Sequence, residues 1–297
     1  MAITGGGEIL EVGCDNGEME LVLGTAQLTR PYGVLGDTSR HTAGDSPQEL
    51  FEAARNCGFA GLDTAASYGD AEEAIGSADH GLKIYTKLDP ALDPEESVYQ
   101  SLRKMGVSFL DIVYLHEEFS GSRSQKKTLQ RLHDALRPHV GSVGVSIYSE
   151  AEFFLALETP EISAIQLPLS ALSGTFGPDH LAQASDADIL VFARSILLQG
   201  LLLIPWRDIP RRVNFLTPYV EEFQRIADRH HVSYPDAAVH FTKSHSGLAG
   251  MVIGANTVAN VTELAQSFHR GKPTEFLEEF SHVPAPPPHI ADPRFWS

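Results

Sequence analysis

The chain has 297 residues and a mass of 32.3 kDa, room for two ordinary domains or one large α/β domain with a full core. Lys and Arg number 22 against 39 Asp and Glu, and the formal net charge of −17 sets nucleic acid and anionic membrane surfaces aside as partners. No run of about eighteen apolar residues offers a membrane span, and the start, MAITGGGEILEVGCDNGEME, lacks the basic and long apolar stretches of a secretory signal, so a cytoplasmic location is expected. That start, over about residues 1–20, is expected to be an N-terminal arm, flexible at the glycines of positions 5–7. The two cysteines, Cys14 and Cys57, have no metal-ligand spacing, and Cys57 falls on the apolar face of an expected helix, so neither a disulfide nor a metal site is expected.

Short apolar or β-branched runs follow in order: LVLGTAQ, GLDTAA, KIYTKL, DIVYLH, SVGVSIY, AIQLPLS, ILVFARS and GMVIGA. Each is continuous enough for a strand buried on both faces. Helical segments lie between them. In SPQELFEAARNCG, Ser46 is an N-cap, Pro47 suits the first turn, Glu49 completes a capping box and Gly58 stops the helix. Leu50, Ala53, Ala54 and Cys57 form its apolar face. DPEESVYQSLRKMG repeats the grammar with Asp93, Pro94 and Gly106, and places Val98, Leu102 and Met105 inward. KKTLQRLHDAL, EAEFFLALE, PYVEEFQRIADRHH and TVANVTELAQSF complete the helical set.

Strict alternation of eight such units in about 250 to 300 residues is the pattern of an α/β protein built as a closed (β/α)8 TIM barrel, here a single domain, since no linker divides it. The proline-rich tail at about 282–297 reads either as a strap against the body or as a loose terminus. His230, His231, His240 and His245 fall on an expected helix-turn-helix away from the strand ends, where a solvated helix end is the reading and a metal cluster is not.

In a parallel barrel all strand C-termini face one mouth. Strand two ends at Asp63 with Tyr68 just beyond, strand three at Lys87 and strand four at His116. Singly, each has an ordinary explanation: a turn-capping aspartate, a snorkelling lysine, a hydrogen-bonded histidine. Their shared position on consecutive strands points instead to a proton donor kept ready by a cation. A phenol, with an unperturbed pKa of about 10, is a poor acid at neutral pH. Beside Tyr68, the Lys87 ammonium would favour the phenolate, Asp63 would keep that ammonium charged, and His116 would aim a carbonyl oxygen. The hydride must come from a cofactor.

This constellation, with GLDTAASYGDAEEAIG at strand two, resembles the aldo-keto reductase superfamily over nearly the whole chain. LGTAQLTRPYG and RSILLQGLLL resemble a bacterial branch of it. The resemblance implies a nicotinamide-dependent oxidoreductase that reduces an aldehyde or ketone with NADPH or NADH, with Asp63, Tyr68, Lys87 and His116 as catalytic tetrad. It implies a small-molecule carbonyl substrate as partner and leaves the oligomeric state open. The cofactor positions it implies are Gly24, Thr25, Ser146, Gln166, Arg194, Ser195, Leu197, Gln199, Gly200, Gly254, Asn256, Asn260 and Glu263, with Ser146 and Gln166 at the nicotinamide carboxamide. The loop IGANTVANVTEL leads into a helix N-terminus suited to a phosphate, and no GxGxxG fingerprint competes with this mode.

The chain departs from the family pattern at three places. Ile147 stands where asparagine usually follows the strand-five serine, and Arg194 where an aromatic residue usually stacks on the nicotinamide. Gly254 and Asn260 stand where many members offer a lysine and an arginine to the 2′-phosphate. Arg194 is open to stacking or to pairing with a carboxylate. The polar stretches TRPYGVLGDTSRH, EEFSGSRSQ and PWRDIPRRVNF are the expected specificity loops, suited to a hydroxylated or anionic substrate such as a sugar derivative. Two other classes stay open: a Schiff-base lyase or aldolase working through Lys87, and a barrel with a relic site.

Overall fold

All eight apolar runs become strands in a computed structural model of the protein, which describes residues 18–29, 33–34, 44–134 and 136–296. The expected N-terminal arm and Cys14 lie outside these residues, apart from 18–20. The strands are β1 (Glu20–Gly24), β2 (Gly61–Asp63), β3 (Lys83–Lys87), β4 (Leu110–Leu115), β5 (Val140–Ser146), β6 (Ala164–Pro168), β7 (Leu190–Arg194) and β8 (Gly250–Gly254). Each pairs in parallel with the next, and β8 returns to β1, so the sheet closes as a (β/α)8 barrel.

The helices are α1 (Pro47–Asn56), α2 (Ala71–Gly76), α3 (Pro94–Met105), α4 (Arg123–Asp134), α5 (Glu150–Leu157), α6 (Pro178–Asp186), α7 (Thr217–Arg229), α8 (Tyr234–Lys243), α9 (Val258–His269), α10 (Thr274–Phe280) and α11 (Pro288–Ala291). The Ser46–Glu49 capping box forms in both directions, Asp93 caps α3, and Gly106 ends it with φ 65°. Inward on α1 are Leu50, Phe51 and Ala54, while Ala53 and Cys57 are only partly covered. Leucines and valines from the outer faces of the strands meet the helices in one continuous core. Burying each such side chain contributes about 1.5–3 kcal/mol.

Large and small residues alternate inside the barrel. Tyr114 and Phe192 are nearly fully buried there, and each stands opposite a glycine in register, Gly144 and Gly250. A β-carbon on Gly144 would come 2.6 Å from the Tyr114 ring, and one on Gly250 2.8 Å from the Phe192 ring. These glycines are absences of side chain that the rings fill.

The described end of the tail packs on the body. Trp296 is 6% exposed, joins the apolar cluster around α7, and donates through Nε1 to the Ile290 carbonyl at 2.9 Å. Among the described residues no helix is long and apolar enough to cross a membrane. At the α7–α8 turn, His230 Nε2 lies 2.7 Å from Glu279, and no group of side chains suited to a metal occurs among the described residues.

Candidate active site

At the C-terminal ends of β2 and β3, Asp63 and Lys87 face each other almost without solvent, 4% and 1% exposed. Lys87 Nζ donates to both carboxylate oxygens of Asp63 at 2.8 Å and to the Thr64 carbonyl at 3.1 Å, which uses all three ammonium donors. Burial pulls the Lys87 ammonium towards neutrality, but the Asp63 carboxylate and Tyr68 outweigh that, and the net displacement is upward, with Arg194 opposing it. Lys87 therefore stays a cation in a dry site.

Tyr68 reaches the mouth on the turn after β2, held by its amide to the Ala65 carbonyl at 2.9 Å and by Thr29, whose hydroxyl donates to the Tyr68 carbonyl at 3.1 Å. The Lys87 ammonium lies 5.3 Å from the Tyr68 ring centre. His116 follows β4 by one residue, its ring edge-on to Tyr68 with centres 6.0 Å apart and its Nδ1 3.3 Å from the Ser67 hydroxyl. All four residues line one cavity of about 380 Å³.

The opposite wall of that cavity comes from β5, β7, β8 and their loops. Ser146, Arg194, Ser195, Leu197, Gln199 and Gly200 line it, as do Gly24, Gly254, Asn256, Asn260 and Glu263. Thr25 and Gln166 are placed differently: both are buried against Asp63. Thr25 donates to the Asp63 carbonyl at 3.0 Å, and Gln166 Nε2 to the Asp63 carboxylate at 2.7 Å. Gln166 Oε1 is buried with no partner.

The Arg194 guanidinium lies 4.1 Å from the Tyr148 ring centre, donates to the Ile147 carbonyl at 3.1 Å and to Ser195 Oγ at 3.3 Å, and meets no carboxylate among the described residues. Arg294, from the tail, lies over the same ring at 3.5 Å. The turn after β7 holds Ser195, Leu198 and Gln199 at φ 60°, 49° and 56°, conformations that cost about 1–3 kcal/mol each unless their surroundings enforce them. Here the enforcement is visible: Leu198 is buried in the apolar cluster around α7, and the Gln199 carbonyl accepts the Val34 amide at 3.1 Å.

Several contributors escaped the sequence reading. Tyr148 and Pro293 line the cavity, and Ser67 supports His116. Tyr148 closes the GVSIY run and could have been flagged as an aromatic just past a strand end, whereas nothing local marks Pro293. Conversely, residues 117–125 and 205–215, expected as specificity loops, do not line the cavity. Gln125 ties the first to itself through Ser120 and Glu117, and the second folds into 3-10 turns from which Arg212 donates to the Val34 carbonyl at 2.7 Å. Most of the third stretch, 29–41, lies outside the described residues.

A closed parallel barrel with titratable groups from consecutive strand ends converging on one cavity defines an enzyme of the (β/α)8 class. The sequence model of the Aldo/keto reductase family matches residues 20–283, so the chain belongs to that family and is an NAD(P)H-dependent oxidoreductase. The fold is similar to that of the holo form of the aldo-keto reductase AKR11C1 from Bacillus halodurans, with a TM-score of 0.70 and 18% identity over 88% of this chain and 91% of that one. It is also similar to the glycerol dehydrogenase AKR11B4 from Gluconobacter oxydans, with a TM-score of 0.67 and 22% identity over 93% and 94%. At such identities the likeness is one of fold. No curated protein matches the chain.

Proposed function

We propose that the chain reduces an aldehyde or ketone to an alcohol with Tyr68 as proton donor. The observation that carries this reading is the Lys87 ammonium, pinned by Asp63 and 5.3 Å from the Tyr68 ring, in a cavity that His116 also lines. As a carbonyl oxygen gains charge, the Tyr68 hydroxyl passes its proton to it. The nearby ammonium stabilises the phenolate left behind, and Asp63 keeps the ammonium charged. His116 orients the carbonyl oxygen towards Tyr68. A bound nicotinamide supplies the hydride, which no side chain here provides.

The residues present fit such a cofactor. The orphaned Oε1 of Gln166 is an acceptor in need of a donor, as a carboxamide offers, and Ser146 stands beside it on the neighbouring strand. Gln166 would then hold Asp63 with one end of its amide and the nicotinamide with the other. A raised Lys87 with every donor engaged argues against a Schiff-base mechanism, which needs a neutral, accessible amine. Arg194, a cavity cation with no carboxylate partner among the described residues, supports a substrate bearing a carboxylate or phosphate, as a sugar acid or sugar phosphate does.

The adenosine end supports NADH over NADPH. The chain has glycine at 254 and asparagine at 260, and Asp45 already accepts the Val258 amide at the N-terminus of α9 at 2.6 Å, so among the described residues an added phosphate would meet a carboxylate there. Calorimetric titration with both dinucleotides checks this: NADH is expected to bind at least about tenfold more tightly than NADPH, a difference of about 1.4 kcal/mol. Asp45→Asn should narrow the gap. Equal affinities in the wild type would remove the assignment of Asp45.

A further inference from the structure

At the far end of the barrel from the mouth, the last turns of α8 and α9 enclose a second, shallow cavity of about 250 Å³. Among the described residues it is lined by His240, Lys243, Ser244, Ser246, Arg270 and Lys272, which bring three cations and no carboxylate, in a chain of net charge −17. Lys243 donates to the Phe268 carbonyl, and Arg270 pairs with Asp236 just behind the wall. Lys272 makes no ion pair among the described residues. His240 is 3% exposed, and its Nε2 is buried without a hydrogen-bond partner.

Cations near helix C-termini complement the helix dipole, and that accounts for Lys243 and Arg270. It does not account for Lys272, which lies beyond the end of α9, or for a buried imidazole nitrogen left unpaired. We propose that this cavity binds a small oxyanion, a phosphate or sulfate group, held by Lys243, Arg270 and Lys272 with His240 as the buried donor. The charges facing His240 are Lys243 and Asp236 on its own helix and Arg270 and Lys272 at the end of α9. Burial, with the three cations, holds its imidazole below the ordinary value despite Asp236. An arriving dianion reverses that field, so binding should draw a proton onto His240.

Sulfate is the decisive probe, because its charge is constant over the range in which histidine titrates. Titration is followed by the His240 ring resonances, assigned with His240→Gln, at constant ionic strength near pH 6 and near pH 8. The expected result is a saturable shift at His240, several-fold tighter binding at the lower pH, and a loss of at least about tenfold in Lys272→Glu. Lys272→Glu should leave dinucleotide binding and carbonyl reduction as in the wild type, which separates this site from the mouth. Parallel titrations with inorganic phosphate and with glycerol phosphate distinguish a free ion from a phosphate monoester as the occupant. No saturable shift at His240, or equal affinity in Lys272→Glu, overturns the proposal.

Discussion

On the β2–β4 side of the mouth, Lys87 gives every ammonium donor to Asp63 and Thr64, while on the β5–β8 side Arg194 meets backbone, a hydroxyl and a ring but, among the described residues, no carboxylate. The first side is a closed set of charges beside the Tyr68 ring. The second is open, with a cation lining the cavity and, buried beneath it beside Asp63, an amide oxygen of Gln166 without a hydrogen-bond partner. On the proposed reading, the contrast teaches that proton handling is built from groups satisfied in advance, whereas binding is built from groups left wanting.

The sharpest way to break this contrast is to disable the closed side. Tyr68→Phe keeps the ring and removes the acid, so kcat for carbonyl reduction should fall by about 10² to 10⁴, with dinucleotide affinity nearly intact. Lys87→Met should cost a similar amount, and the double variant should be little worse than the poorer single one, because the two act as a unit. Steady-state rates of the three variants, beside a dinucleotide titration, decide it. Near-normal kcat in Tyr68→Phe would remove Tyr68 as the acid.

A smaller effect is expected on the open side. Arg194→Leu should raise KM for a carboxylated or phosphorylated carbonyl about tenfold and spare a neutral one, with kcat and dinucleotide Kd little changed. A loss confined to dinucleotide Kd would instead move Arg194 to the cofactor.

The smallest effect concerns a buried carboxyl behind the closed side that is less well matched than Asp63. Glu72 on α2 is 1% exposed; its Oε1 accepts the Thr86 hydroxyl at 3.2 Å, while its Oε2 makes no hydrogen bond and lies 3.8 Å from Lys104. Burial raises its pKa, and Ser101, Lys104 and Thr86 offset only part of that. A carboxyl that holds its proton more tightly when folded costs stability once ionised, and the cost vanishes below its unfolded value of about 4.3. Glu72→Gln should therefore raise the thermal midpoint near pH 8, by roughly 2–4 °C per kcal/mol relieved, and the gain should disappear towards pH 4. Melting curves across that range check both the sign and the pH dependence.

The barrel was legible because a strand buried on both faces has to be apolar throughout, and the alternation with capped helices repeats that signal along the chain. Asp63, Lys87 and His116 were legible for a related reason: a charge at the end of such a run stands out against it. Short α2 and α6 carry too few inward side chains to show a period, with only Leu181 and Ala184 buried on α6. The partner of Gln166 was hidden because its bond to Asp63 crosses the barrel between residues 103 positions apart. Pro293 enters the cavity wall only through the packing of the tail, which no local pattern encodes.

The facing pairs inside the barrel, Tyr114 with Gly144 and Phe192 with Gly250, bear on how such a chain can drift over generations. A side chain gained at either glycine while the ring remains meets it within 2.8 Å, and a ring lost while the glycine remains leaves a hole. A backbone carbonyl also stands close at each glycine, Ala164 O 2.5 Å from a β-carbon on Gly144 and Glu20 O 2.9 Å from one on Gly250, so shrinking the ring does not by itself make room, and descent to a different interior has to move a strand as well.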